Sequence, residues 1–324
     1  MGRKTITRQL EHCLHEKMAF GESRHNAKNE LRNSLGENYH FGMTNDKIHS
    51  LETFDTYKKV SKEYAKWLVE EKALNKYIDI KETERYASEY LQQRLDKGMS
   101  LWTVKMERSA LGKVYGKQIE IRQLPKRHDN DITRSRNECE HDKHFSVSKN
   151  RALVTIATAC GTRREDLGKL RIDSFREIEG RLYVQIEGSK GGRNRLAPVL
   201  YAKEQEVKTI LEKMQKEGKE KHDKLFDKVH NKMDVHSCRR YYAKSLFKEV
   251  SENRESRNII LKNYPERHEI KTYVVNGVKV TKEIQSQYFQ PKGTKERFDR
   301  DDLYVVSQAL GHNRIDVTYH SYIR

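Results

Sequence analysis

The sequence predicts a mainly α-helical protein with a small antiparallel β-sheet. Apolar residues recur at helical spacing through most of its 324 residues, which is typical of amphipathic helices. Strand-like segments are confined to residues 177–199 and 273–280. Residues 117–145 interrupt the helical pattern with many charges and few apolar side chains. We therefore expect a linker there between two domains, a number that the chain length also indicates.

The charge balance indicates an acidic partner. Lysine and arginine total 65 against 48 aspartates and glutamates, which gives a net charge of +17 spread along the chain. A protein that neutralises many phosphates gains affinity for nucleic acid with each contact. A basic protein without such a partner would show the same balance, so charge alone leaves both interpretations open.

The cysteines and the hydropathy bear on where the protein works. The four cysteines lie far apart and form no Cys-x-x-Cys pair, which favours a reducing cytoplasm. No apolar run approaches the length of a membrane span, and no signal peptide is recognisable. Cys139, His141 and His144 lie close together in the linker without a fourth ligand. We therefore expect no structural metal site and no membrane association.

Residues 1–45 predict two short amphipathic helices, around Leu10 and Leu14 and around Leu31 and Leu35. The faces opposite these apolar stripes are rich in Arg, Lys and His. The segment is either a DNA-contacting arm or an element for packing or oligomerisation, and the pattern does not decide between them.

Residues 46–116 predict a compact helical domain. Ser50 or Thr53 can cap its first helix, and Ser100 opens its third, because hydroxyl side chains accept hydrogen bonds from the free amides of a helix start. The outer faces of these helices are basic. This fits either a solvated helix bundle or half of a clamp on duplex DNA.

Residues 146–324 predict a second domain that mixes helices and strands. One helix ends at Cys160-Gly161, and Thr162 to Glu165 has the form of a capping box that begins the next. Strands are predicted at residues 177–178, 182–186 and 196–199, and a basic, glycine-rich loop precedes the last of them.

The rest of this domain predicts two helices separated by an insertion. Asp234 is the predicted N-cap of the helix that carries His236 and Arg239, and a final helix ends near Leu310. The insertion, residues 252–300, contains an Asn276-Gly277 hairpin signal, because these residue types suit the positive φ angles of a type I′ turn.

Six residues of the second domain form a set suited to phosphoryl transfer without a metal: Arg163, Lys190, His236, Arg239, His312 and Tyr322. Two guanidiniums can hold the non-bridging oxygens of a phosphodiester and stabilise the transition state. A lysine or histidine can protonate the leaving 5′ oxygen, and another histidine can accept the proton of the attacking phenol. No Asp/Glu cluster suited to Mg²⁺ accompanies the set, which disfavours a two-metal nuclease.

These motifs resemble those of the tyrosine recombinases, in particular the integrases of phages and mobile elements. The segment 161–167 resembles the family's first-arginine box, with Asp166 at its acidic position. Lys190 lies in the turn that carries the family's lysine, and the segment 236–243 resembles its His-x-x-Arg box. Leu310-Gly-His312, followed by Thr318 and Tyr322, resembles the terminal box, and residues 50–116 are similar to the family's helical core-binding (SAM-like) domain.

The resemblance implies that this core-binding domain and a mixed α/β catalytic domain clamp double-stranded DNA. It implies site-specific cleavage through a 3′-phosphotyrosyl intermediate, with strand exchange through a Holliday junction in a homotetramer. It further implies that the reaction needs no cofactor. Small directionality or DNA-bending factors are expected as partners, and the location is expected to be cytoplasmic and nucleoid-associated in a prokaryotic host. The basic residues expected to contact DNA are Lys58, Lys62, Arg94, Lys105, Arg108, Arg193, Arg195 and Arg240.

Several features depart from the family's pattern. Cys238 and Arg240 stand where Leu and His are common, and the insertion separates the His-x-x-Arg and Leu-Gly-His boxes. Residues 1–45 lack the strand pattern of an arm-binding domain. Only two residues follow Tyr322, whereas family members commonly pass a C-terminal segment to a neighbouring protomer. That segment is missing, or truncated, or replaced by the insertion. We therefore expect a mobile Tyr322 in the DNA-free protein.

Three functions are consistent with these residues: an active site-specific recombinase, a type IB topoisomerase or telomere-resolvase-like enzyme, and a catalytically silent DNA-binding regulator. The complete set of six residues argues against the regulator. Structural interpretations also exist for Arg163, which would pair with Glu165 or Asp166, and for Lys190 as a solvated cation. Tyr319 competes with Tyr322 as the nucleophile.

Overall fold

The computed structural model describes residues 4–39, 43, 45–122, 124–125, 144–189, 192–275, 278–312 and 314–324. The chain divides into two compact units, Met1–Asp131 and Ile132–Arg324. Each has a hydrophobic core of its own.

The described part of the first unit is helical. Its α-helices are α1 (Ile6–His15), α2 (Arg24–Leu35), α3 (Leu51–Glu70), α4 (Ile80–Thr83), α5 (Ala87–Asp96) and α6 (Leu101–Tyr115). The predicted caps of α3 and α6 are confirmed, because the hydroxyls of Ser50 and Ser100 accept hydrogen bonds from the amides of Thr53 and Thr103, each at 3.2 Å.

Helix α1 is a packing element of the first unit. Its Ile6, Leu10 and Leu14 are buried in the same core as Tyr64 and Leu111 of helices α3 and α6. Helix α2 has no buried residue. The two helices predicted in residues 1–45 therefore differ, since only α1 contributes to the core.

The second unit combines helices with three small antiparallel sheets. Its helices are α7 (Arg151–Cys160), α8 (Arg164–Leu167), α9 (Glu204–Lys216), α10 (Val235–Glu252), α11 (Arg254–Leu261), α12 (Arg300–Ala309) and α13 (Ile315–Thr318), followed by a π-helical turn (Tyr319–Ile323). Its strands are β1 (Phe175–Ile178), β2 (Arg181–Ser189), β3 (Arg193–Pro198), β4 (Ile270–Val275), β5 (Val278–Glu283), β6 (Tyr288–Phe289) and β7 (Phe298–Asp299). The prediction of a mainly α-helical chain with a small antiparallel sheet is confirmed.

The main sheet has the order β1-β2-β3. Glu179 and Gly180 join β1 to β2 with φ angles of 48° and 75°, which suit a tight hairpin turn. Strands β2 and β3 pair with Ile186 opposite Arg195, and the register shifts between Ile186 and Ser189. Ser189 on β2 and Arg195 on β3, which lie on either side of the basic loop, are both buried.

The insertion is integrated into the second unit. Helix α11 buries Ile260 completely, and β4 and β5 form the predicted hairpin; Asn276 and Gly277 between them lie outside the described residues. Ion pairs join the insertion to α12: Arg257 lies 3.2 Å from Asp302, and Arg267 lies 2.9 Å from Asp301.

Candidate active site

The first element of the site is the turn between α7 and α8. Gly161 ends α7 with a φ of 59°, and a Cβ there would lie 2.2 Å from the ring of Tyr242, so only glycine fits. Arg163 follows as the N-cap of α8, and its amide donates to Asp166 at 3.3 Å. The predicted capping box is therefore shifted by one residue: the acidic partner is Asp166, which is buried, and not Glu165.

Asp166 is the centre of a buried polar network. It is 1% exposed, and its Oδ2 accepts hydrogen bonds from Ser189 Oγ at 3.1 Å and from Arg195 Nη2 at 3.0 Å. Ser189 in turn accepts from Nη1 of Arg163 at 2.8 Å. The carboxylate thus orients Arg163 through its backbone and through the serine.

Helix α10 supplies the next two predicted residues. The predicted cap is confirmed, because Asp234 accepts from the amides of His236 at 3.1 Å and Ser237 at 3.0 Å. One turn into the helix, Arg239 is 2% exposed. Its Nη1 donates to the carbonyl of Gly161, and its Nε lies 3.2 Å from the hydroxyl of Tyr322.

Three arginines converge on one carbonyl oxygen at the end of α12. Nη2 of Arg163 and Nη1 of Arg195 lie 3.4 and 3.3 Å from the oxygen of Leu310, and Nη2 of Arg239 also donates to it. Burial is the main cause that lowers the pKa of Arg195 to about 10, followed by the charge of Arg239. All three guanidiniums remain charged at neutral pH, so the site concentrates positive charge.

The turn after α12 places His312 in this cluster. Gly311 has a φ of 67°, and the amide of His312 donates to Ser307 at 2.8 Å, which closes the helix end. Burial, followed by the charges of Arg239 and Arg163, lowers the pKa of His312 to about 4.

The neutral tautomer of His312 follows from its contact with Arg239. Nε2 of His312 lies 3.4 Å from Nη2 of Arg239. A guanidinium has only donors, so we assign Nε2 as the acceptor and place the proton on Nδ1. Nε2 is then the nitrogen that can accept a proton, and a proton taken there replaces the hydrogen bond from Arg239.

Tyr322 is docked in the site. It is 5% exposed and belongs to the core of the second unit. The centroids of the rings of His236 and His312 lie 5.6 and 5.5 Å from its ring. The expectation that nothing within the chain holds Tyr322 in place is therefore wrong. Sequence reasoning considered only the short tail and missed the apolar contacts that hold it.

Tyr319, the competing tyrosine, lies in a different environment. Its ring packs against Phe298 and Phe289, with centroids 4.8 and 5.4 Å apart. The described hydrogen bonds join Tyr322, and not Tyr319, to Arg239. Five of the six predicted catalytic residues therefore lie in one cluster: Arg163, His236, Arg239, His312 and Tyr322. Lys190, the sixth, lies outside the described residues.

The predicted DNA contacts have varied positions. Arg195, predicted as a DNA contact, is buried at 8% exposure and paired with Asp166, so it lies inside the site. Its position was readable from strand alternation, because Arg195, Ala197 and Val199 all point inward. The side chain of Arg193 is not described, and Nε of Arg240 is buried.

In the first unit, two of the predicted DNA contacts are occupied by neighbours. Arg94 forms a forked pair with Glu107, with Nη2 at 2.6 Å from Oε1, and Nε of Arg108 donates to the carbonyl of Ile119. Lys58 and Lys62 lie 3.9 and 3.8 Å from Glu11 at the surface. Lys105 is partly exposed on α6.

The described residues contain no group of three or more His, Cys, Asp or Glu side chains that could hold a metal ion. Within the same ranges, no helix is long and apolar enough to cross a membrane.

No protein-family model and no curated protein matches the sequence. Solved structures of recombinases are similar to this chain. They include the site-specific recombinase XerH bound to a palindromic difH substrate after cleavage, at 15% identity and a TM-score of 0.47, covering 97% of this chain and 89% of that one. The XerH complex with difH before cleavage has 17% identity and a TM-score of 0.46, covering 98% and 91%. The XerA recombinase has 12% identity and a TM-score of 0.29, covering 93% and 94%.

Proposed function

We propose that this protein is a tyrosine-type DNA strand transferase, and specifically a site-specific recombinase of the integrase kind. The observation that carries the proposal is the position of Tyr322, whose hydroxyl lies 3.2 Å from Nε of the buried Arg239. A weak nucleophile such as a phenol needs nearby cations and a base. Arg163 and Arg195 share the carbonyl of Leu310 with Arg239, and His312 lies beside Arg239.

The arginines suit the charge that develops during attack on a phosphodiester. Arg163 and Arg239 would bind the two non-bridging oxygens, and their fixed positions would stabilise the transition state without reorganisation. Arg195 is held behind them by Asp166 at 3.0 Å. We assign it a positioning role, because its buried guanidinium keeps Asp166 and Ser189 in place.

The reaction would proceed by direct displacement at phosphorus. The oxygen of Tyr322 forms a bond to phosphorus, and the bond from phosphorus to the 5′ oxygen breaks, leaving a 3′-phosphotyrosine. The phenolic proton passes to a base, for which His312 is suited because burial and neighbouring cations lower its pKa to about 4 and keep it neutral. Lys190 or His236 would supply the proton to the leaving 5′ oxygen.

The bound phosphate itself would strengthen His312 as a base. Positive neighbours disfavour imidazolium in the free protein, and a phosphodiester placed among them adds a negative charge that offsets this effect. His312 would therefore accept a proton most readily after DNA is in place.

Rejoining would use the same groups in reverse, with a 5′ hydroxyl from another duplex attacking the phosphotyrosine. Specific recombination sites in double-stranded DNA, a homotetramer on that DNA, and exchange through a Holliday junction belong to this proposal. So do the cytoplasmic location and the small directionality or bending factors.

A nicked suicide duplex tests the proposal. Duplexes that the protein selects from a random-sequence pool supply the site, and a nick next to the cleavage point lets the short 5′ product diffuse away. The wild-type protein is expected to accumulate a covalent adduct that withstands denaturation. Tyr322→Phe should form none, whereas Tyr319→Phe should retain it. An adduct that survives in Tyr322→Phe would overturn the assignment of the nucleophile.

A further inference from the structure

The insertion makes direct contact with the segment that carries Tyr322. Strands β6 and β7 pair Phe289 opposite Phe298, and directly opposed residues project to the same face of a ribbon. The ring of Tyr319 rests on this pair, with centroid distances of 5.4 and 4.8 Å. We call Phe289, Phe298 and Tyr319 the aromatic dock.

The aromatic dock is part of a separate small core. It is continuous with Leu303, Tyr304 and Ile315, which are buried together with Tyr319. Phe247 of α10 lies 6.0 Å from Phe298 between ring centroids. The insertion therefore packs between the tail and the helix that carries Arg239.

Charged contacts join the insertion to α12, the helix that precedes the C-terminal segment with Tyr319 and Tyr322. Arg300, at the start of α12, donates to Glu269 at 2.6 Å and lies over the ring of Phe289 at 5.7 Å. Arg257 pairs with Asp302 at 3.2 Å. These side chains are buried or half-buried, so solvent screens the pairs less than it would at the surface. These contacts hold Phe289 and Phe298 in a fixed position relative to α12.

The C-terminal segment connects the aromatic dock to the nucleophile. Tyr319 and Tyr322 lie on one π-helical turn, which the amide of Arg324 closes onto the carbonyl of Tyr319 at 3.0 Å. Single π-helical turns are rare and occur frequently at functional sites. Tyr319 faces the insertion and Tyr322 faces Arg239, so a shift of one ring moves the other.

We propose that the insertion positions the nucleophile within its own chain, with Phe289 and Phe298 as positioning residues that act through Tyr319. This inference rests on the proposed role of Tyr322. The dock holds the phenol where Arg239, His236 and His312 already surround it, so it favours attack and does not inhibit it. A phenol displaced by about 1 Å would lose on the order of 100-fold in rate.

The test compares three variants of the full-length protein on the nicked duplex selected from the random pool. Phe298→Ala removes one wall of the dock. Tyr288→Ala is the matched control, because Tyr288 precedes Phe289 on the same strand but is 52% exposed. Phe298→Leu keeps apolar volume and serves as the conservative rescue.

Two quantities are measured for each variant: the dissociation constant for the duplex, and the rate of adduct formation at saturating duplex. For Phe298→Ala we expect little change in the dissociation constant and an adduct rate on the order of 10- to 100-fold lower. Hydrogen exchange in the DNA-free protein should be faster in residues 315–324 but unchanged in α7. Tyr288→Ala should match wild type, and Phe298→Leu should recover most of the rate.

The outcomes separate this inference from the proposed function. If wild type forms no adduct, the proposed function fails and this inference fails with it. If wild type forms the adduct and Phe298→Ala forms it at an equal or higher rate, only the positioning role is overturned. An equal slowing by Tyr288→Ala, or faster exchange of α7 in Phe298→Ala, would also overturn it by indicating a general disturbance of the unit.

Discussion

The buried carboxylate of Asp166 gives the sharpest test of how the arginine cluster is held together. Asp166→Asn keeps the shape of the side chain and removes its charge. Asp166 and Arg195 are 1% and 8% exposed and are joined at 3.0 Å. Removing one partner of a buried pair leaves the other charge uncompensated and costs about 3–5 kcal/mol. We expect the second unit to lose about 3 kcal/mol of stability, since the amide retains some hydrogen bonds.

The choice of assay matters for this variant. Both tryptophans, Trp67 and Trp102, lie in the first unit, so their fluorescence would report on the wrong part of the chain. Hydrogen exchange of peptides from α7 and α10, measured across a urea series, reports on the second unit itself.

A surface pair supplies the control for Asp166→Asn. Glu217 lies 3.7 Å from Lys213, with side chains 62% and 73% exposed, and such pairs contribute about 0.3–0.5 kcal/mol. Glu217→Gln should therefore change the stability of the second unit very little. A loss below about 1 kcal/mol for Asp166→Asn would refute the reasoning that the carboxylate compensates a buried arginine cluster.

Two further predictions concern the geometry and the protonation of the site. Gly161→Ala should destabilise the second unit by more than about 2 kcal/mol, because its Cβ would lie 2.2 Å from Tyr242; Gly188→Ala, with a φ of 54° and open space around it, should cost only about 1 kcal/mol in the same exchange assay. The pKa of His312 is about 4 in the folded protein and about 6.5 in an unfolded chain. Between these values the unfolded state binds more protons than the folded state. The free energy of unfolding therefore falls as the pH falls from 6.5 to 4. Wild type should lose about 1–2 kcal/mol more than His312→Asn across that window, after allowance for partial solvent exposure, and equal losses in urea titrations of the two proteins would contradict the lowered pKa.

The elements of the fold were largely predictable, because they depend on local pattern. Ser50, Ser100 and Asp234 were identified as caps from residue type and position, and the structure gives each a hydrogen bond to a helix-start amide. The turn at Glu179-Gly180 also followed from its residues. These features are decided by neighbours close in sequence, which is the information that periodicity and capping signals contain.

The network within the site was harder to predict, because it depends on contacts between distant residues. Arg195 was predicted to contact DNA as one of the cations of the basic loop, and its burial was not foreseen. Its burial depends on Asp166, which is 29 residues away and accepts its hydrogen bond at 3.0 Å. The observed strand begins at Arg193 and not after Arg195, and only the tertiary fold brings the compensating carboxylate into place.

The same reasoning explains the wrong expectation for Tyr322. Chain ends are loosely held unless they dock on the rest of the protein, and the dock here is built from Phe289 and Phe298 of the insertion. The sequence of the insertion predicts its hairpin, but it does not predict that Phe289 and Phe298 contact Tyr319. Apolar residues in a charged segment with no clear helical or strand period are a signal for such a contact.

The most direct measurement of the central claim is the identity of the residue that becomes linked to DNA. The adduct on the selected nicked duplex is digested with protease and nuclease, and the remaining nucleotide is located by mass spectrometry. We predict a 3′-phosphonucleotide on Tyr322, whose hydroxyl lies 3.2 Å from Arg239. A nucleotide on Tyr319 or on any other side chain would contradict the account.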